Sequence, residues 1–80
     1  MKIQLLFFGI ATDLVGENSI SFDIEDQATI AQLKELLISK FSGLKNLNEF
    51  AIALNEEYAT DDLIIKNADI IAIIPPVSGG

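Results

Sequence analysis

The sequence predicts an α+β domain with one helix packed across a mixed sheet. Three observations carry this prediction: apolar strand-like runs at both ends of the chain, a single stretch of helical periodicity between them, and turn residues at the junctions. Eighty residues, half of them hydrophobic, suffice for one domain with a real core, near the lower limit at which such a core holds without disulfides or metal.

Lys2 to Phe8, "KIQLLFF", reads as a strand in which Ile3, Leu5 and Phe7 point one way. Lys2 and Gln4 begin the opposite face, which Leu6 and Phe8 make partly apolar. "GIATDLVG" sits between two glycines with Ile10, Leu14 and Val15 at helical spacing, as a single helical turn or an irregular loop. "NSISFDI" alternates Ser19, Ser21 and Asp23 against Ile20, Phe22 and Ile24, a half-buried strand expected to pair antiparallel with the first.

After the turn "EDQ", Thr29 and Gln32 match a capping box that opens the main helix. Its apolar stripe is Ile30, Leu33, Leu37 and Phe41, widened by Leu36, with Gln32, Lys34, Glu35 and Ser39 outward. Ser42 and Gly43 are expected to end it, with glycine in the left-handed conformation. "LKNLNE" is then a connection anchored by Leu44 and Leu47. "FAIALN" reads as a short strand, "EEYATDD" as a bend with a brief edge strand at Tyr58, and "DIIAII" as a continuous aliphatic strand. That last run has no polar face, so it must be buried on both sides or offer its second face to another protein.

Five lysines, no arginine and twelve acids leave a net charge of −7, which repels nucleic-acid phosphates and anionic membranes. The charge either keeps a very apolar domain soluble or suits a basic partner. Without cysteine or histidine, thiolate nucleophiles, histidine bases, zinc sites and disulfides are excluded. The acidic groups Asp23/Glu25/Asp26, Glu56/Glu57 and Asp61/Asp62 lack the spacing of an ion loop and read as turn residues, so no metal is assigned. The hydroxyls have no histidine partner and the lysines lie in polar surroundings, which argues against catalysis by the chain alone. The first residues lack a signal-peptide pattern, their apolar run stopping at Gly9, and a cytoplasmic location is the expectation.

The sequence closes on "PPVSGG". Pro75 and Pro76 stop the aliphatic strand and hold the residues after them as a straight arm, because proline cannot donate to a ladder and fixes φ. Gly79 and Gly80 present a backbone without Cβ atoms, on which a narrow channel of another protein can close. The carboxylate expected at Gly80 is unreactive until a partner converts it to an anhydride with phosphate.

From "KIQLLFFG" through "ATDLVG", the capped helix at Thr29 and "ALNEEYA" to "DIIAIIPPVSGG", the whole chain resembles the small subunit of molybdopterin synthase, a sulfur-carrier protein of the ubiquitin-like β-grasp fold. The resemblance implies a β-grasp domain over residues 1–76 and a flexible Gly-Gly tail over 77–80. It implies that an E1-like enzyme uses ATP to adenylate Gly80, that sulfur then replaces oxygen to give a thiocarboxylate, and that the tail enters the large synthase subunit to deliver sulfur to cyclic pyranopterin monophosphate. No cofactor is bound in that scheme; the chain is the sulfur-donating subunit of a transferase complex, expected as a heterotetramer with the large subunit.

Carried over by position, Gly79 and Gly80 match the reactive tail, and Pro75, Pro76, Val77 and Ser78 the arm that threads the partner. Phe7, Tyr58 and Ile74 match a hydrophobic contact patch, although strand alternation alone would also bury one residue of each neighbouring pair. "NAD", Asn67 to Asp69, stands where an Asp-Gly-Asp turn is more usual. The alternatives are a sulfur carrier for thiamine thiazole formation, a ubiquitin-like protein modifier, and an interaction domain with an inert tail.

Overall fold

The computed structural model describes residues 1–76, with only the backbone of Asn48; Val77, Ser78, Gly79 and Gly80, expected as the flexible tail, lie outside the described residues. Strand β1 (Lys2–Phe7) is followed by the short helix α1 (Ile10–Val15), β2 (Ser19–Asp23), the main helix α2 (Ile30–Lys40), β3 (Ala51–Leu54), β4 (Glu57–Tyr58) and β5 (Ile70–Ile74). The sheet order is β2-β1-β5-β3-β4. All pairs are antiparallel except β1 with β5, so the first and last strands lie side by side at its centre.

The expected capping box opens α2: the Gln32 amide donates to Thr29 Oγ1 at 3.3 Å, and the Thr29 amide donates to Gln32 Oε1 at 2.8 Å. Ile30, Leu33 and Leu37 face inward and join Ile3, Leu5 and Phe7 of β1, Ile52 of β3, and Ile71 and Ile73 of β5 in one core. Leu44 and Leu47, on two 3-10 turns after α2, close the core as the expected anchors. The segment after Gly9 resolves to a helix whose Thr12 hydroxyl donates to the Phe7 carbonyl at 2.8 Å.

Two expectations about α2 are corrected. Gly43 does not take a left-handed conformation; the helix ends at Lys40 with Phe41 extended as its cap, and the chain continues into the 3-10 turn Ser42–Leu44. Glycine at 43 serves closeness instead, since a Cβ there would lie 3.3 Å from Leu14 of α1, a tight contact that Leu14 would have to yield to. Leu36 does not widen the buried stripe but is 44% exposed. Ile30, Leu33 and Leu37 form the line that meets the sheet, and Leu36 lies beside it, lining the grooves next to β2.

The turn between β3 and β4 places Asn55 and Glu56 at φ 51° and 75°, the pair of left-handed residues that suits the twist of a tight hairpin. Ala68, in the "NAD" segment, has φ 71° and so adopts the conformation for which glycine is the usual residue. A polar clasp joins these two turns. Asn55 Nδ2 donates to Asp69 Oδ1 at 3.0 Å, the Lys66 amide donates to Asp69 Oδ2 at 2.7 Å, and the Ile70 amide donates to Asn55 Oδ1 at 3.0 Å. The backbone carbonyl of Asp69 accepts from the Gln4 amide at 3.0 Å, tying β5 to β1 at the point where both begin their pairing.

Because Asp69 is buried and both of its carboxylate oxygens are used, Asp69→Ala strands two donors. The variant is expected to lose about 2–3 kcal/mol, the range for a hydrogen-bonded buried charge. Urea denaturation checks this as a lower midpoint with an unchanged slope.

Candidate functional site

The site is built from the end of β5 outward. Ile71 and Ile73 are buried against α2, and alternation therefore turns Ile70, Ala72 and Ile74 to the opposite face of the sheet. No described helix covers that face, so β5 is not buried on both sides. Its neighbours agree with it. The register aligns Leu6 of β1, Ala72 of β5, Ala53 of β3 and Tyr58 of β4 in one row across the sheet. Phe8 lies one position beyond the last β1–β5 pair, its amide donating to the Ile73 carbonyl at 3.2 Å.

A shallow groove of about 470 Å³ runs over this face, with the small Ala53 and Ala72 as floor and Leu6, Phe8 and Ile70 as apolar walls; Asn55 and Glu56 form its polar end. Phe8 and Ile70 are each 47% exposed and Tyr58 80%. These are large apolar groups held in water by a rigid sheet, the arrangement expected of a protein contact surface.

Of the three residues expected in the contact patch, Tyr58 and Ile74 belong to this face and Phe7 does not. Phe7 is 2% exposed and packs edge-on against Phe41, ring centroids 6.3 Å apart. Adjacent strand residues point to opposite faces, so a shift of one position exchanges core for surface, and the outward aromatic is Phe8. Phe8, Leu6 and Ile70 are the face residues missing from the patch expected on sequence grounds; the signal for the first two was the second face of "KIQLLFF".

Pro75 and Pro76 follow β5 directly, so the chain leaves the sheet at the edge of the exposed face. On the other side of this exit lies a second groove of about 460 Å³, lined by Ile10, Leu14, Phe50 and both prolines. Gly9 makes the exit possible. Its φ of 54° and ψ of −133° are open only to glycine, and a Cβ there would stand 3.0 Å from Pro75 Cγ. The arm expected at Pro75, Pro76, Val77 and Ser78 is thus described only for its two prolines; Val77, Ser78, Gly79 and Gly80 lie outside the described residues. Among the described residues, no group of histidine, cysteine or carboxylate side chains could hold a metal, and no helix is long and apolar enough to cross a membrane.

Gly9→Ala combines backbone strain with a forced shift of Pro75. The expected cost is about 1–3 kcal/mol. In thermal unfolding together with amide spectra, the variant should be less stable, with its largest shifts at Phe8, Ala11 and Ile74; an unchanged Tm with unshifted signals would contradict this role of Gly9 at the exit.

Comparison with known proteins fits this geometry. The model of the ThiS family matches residues 5–80. The molybdopterin synthase sulfur carrier subunit of Arabidopsis thaliana is 36% identical over 81 residues, covering 100% of this chain and 84% of that protein. The subunit of the same name from Chlamydomonas reinhardtii is 34% identical over 83 residues, with 100% of both chains covered. Among solved structures, SAMP1 of Haloferax volcanii superposes with a TM-score of 0.88 at 20% identity over 100% of both chains, a likeness of fold alone. A chain in the protein-protein complex of subunits 1 and 2 of the molybdopterin-converting factor of Helicobacter pylori is similar at a TM-score of 0.71 and 29% identity over 100% of both chains. The fold is therefore the expected β-grasp, and the chain belongs to the ThiS family.

Proposed function

We propose that this protein is the sulfur-carrier subunit of a molybdopterin synthase, that its exposed sheet face docks the protein partners, and that Gly80 carries the sulfur. The observation that carries this reading is the continuity of β5: one strand supplies the apolar face through Ile70, Ala72 and Ile74 and then, through Pro75 and Pro76, the start of the arm. A partner seated on the face has the arm at its edge, so binding energy from the apolar contact also positions the reactive end.

The chemistry belongs to the chain end. A carboxylate at Gly80 attacks the α-phosphate of ATP on an E1-like enzyme, releasing pyrophosphate and forming an acyl adenylate. A sulfide-equivalent nucleophile then attacks the acyl carbon and expels AMP, leaving a thiocarboxylate. No side chain of this protein reacts. The absence of cysteine removes any thiol that could compete for the activated acyl group. The second partner is a large synthase subunit, as in the Helicobacter pylori complex of subunits 1 and 2. There the thiocarboxylate, a soft and readily ionised nucleophile, donates sulfur to cyclic pyranopterin monophosphate. The net charge of −7 suits partner surfaces that are basic because their substrates are anionic. A heterotetramer of two small and two large subunits would present two loaded tails.

The test uses the missing thiol. Protein purified from cells with an active sulfur pathway is treated with a thiol-selective alkylator and fragmented in the mass spectrometer. A label at Gly80 is expected, since nothing else in the chain accepts it. No label, from cells whose activating enzyme and sulfur donor are both shown active, contradicts the carrier reading. Recovery of the tail in amide linkage to lysines of other proteins would identify a modifier instead.

A further inference from the structure

Along the side of β1 away from β5, the outer strand β2 has an unpaired edge. The Ile24 amide donates to the Met1 carbonyl and the Phe7 amide to the Asn18 carbonyl, each at 2.9 Å. With Ile3 opposite Phe22 and Leu5 opposite Ile20, these two bonds set the phase of the ladder. Antiparallel alternation then directs the backbone groups of Ser19, Ser21 and Asp23 away from the sheet, where no described strand pairs with them. Beside this edge a groove of about 600 Å³ separates β2 from α2. Its apolar surface comes from Ile24, Ala28 and the exposed Leu36, and its rim carries Asp23, Glu25 and Glu35.

We propose that this edge and groove form a second docking site, which takes an extended peptide segment of a partner in which lysine or arginine alternates with an aliphatic residue. Strand addition would satisfy the outward backbone groups of Ser19, Ser21 and Asp23, and alternation along the added strand places every second side chain over Leu36. The carboxylates select the charge at the Asp23 end, while Lys40, over the Phe22 ring at 5.2 Å, is the cation farther along the same edge. Asp23 has only a loose 3.8 Å partner in Lys2, and among the described residues neither Glu25 nor Glu35 has an ion pair. A second copy fits poorly as occupant, because edge-to-edge pairing would bring these acids and the −7 charge of each chain together. The groove lies at the Asp23 end of β2, beside Lys2, whereas the tail leaves beside Phe8, so both ends can be engaged together.

The test is an amide-shift titration of the full chain with the blocked peptide Ac-Lys-Val-Lys-Val-Lys-NH2. Shifts are expected at Ser19, Ser21, Asp23 and Leu36. Asp23→Lys, on the sheet face to which the peptide's lysines turn when its valines lie over Leu36, should weaken binding by about threefold or more. Ser21→Pro removes an outward donor without touching the ladder and should abolish the response; if that variant does not fold, Leu36→Ser, which alters only an exposed side chain, must weaken binding instead. Shifts centred on Phe8 and Ile70, an equal response to Ac-Glu-Val-Glu-Val-Glu-NH2, or no response at several millimolar peptide would overturn the proposal. So would β2 shifts that grow with protein concentration alone, which would identify a second copy as the occupant.

Discussion

β5 must serve two solvents at once, and the rest of the fold depends on that demand. Ile71 and Ile73 are fully buried under α2, and each contributes about 1.5–3 kcal/mol by leaving water. Ile70, 47% exposed, and the half-buried Ala72 and Ile74 gain less in the free protein, because they lie on the face that no described helix covers. A strand of this composition could not stay in register at a sheet edge, where its backbone would invite other chains. Central placement between β1 and β3 removes that hazard by pairing both sides of its backbone. Side chain alone is left exposed, apolar and rigid, a surface that can be covered by a partner without any refolding.

The ends of β5 are controlled as closely as its faces. At the start, Asp69 and Asn55 lock the strand to the β3–β4 turn and to β1 through side-chain and backbone bonds. At the finish, Gly9 yields space to Pro75 in a conformation that only glycine adopts readily. Between these two constraints the strand cannot slide, so the direction in which the chain leaves is a property of the folded domain. That makes the continuity of face and arm mechanically meaningful: a partner that grips the face also grips the base of the arm.

Much of this was legible in the amino acids. The capping box at Thr29, the alternation of "NSISFDI", the anchors Leu44 and Leu47 and the stop at Pro75 each have a local cause, and each appears where local physics places it. The "PPVSGG" ending also carried a specific resemblance, though its last four residues lie outside the described structure. Alternation along β1 already set Phe7 beside Ile3 and Leu5 and Phe8 on the other face; the resemblance, carried over by position, put Phe7 in the patch instead. The features that eluded the sequence depended on neighbours distant in the chain. Leu36 fits a helical stripe equally well inside or outside until the width of the covered sheet is known. Gly43 resembles a helix stop, but its smallness serves the approach of Leu14 from α1. The parallel pairing of β1 with β5 joins residues from opposite ends of the chain, Gln4 with Ile70, and no local pattern announces it.

The most direct measurement concerns the coupling of face to tail. A chain loaded chemically with a thiocarboxylate at Gly80 bypasses the activating enzyme, and its transfer of sulfur in the purified large subunit can be followed in a single turnover. Wild type and Ile70→Asp should keep the same fold and the same sulfur content, because Ile70 lies outside the core. The variant is predicted to transfer slowly at low partner concentration and to recover as the partner is raised, the mark of lost docking energy. Equal transfer by both chains at every concentration would contradict the coupling, since the tail would then find its site without the face.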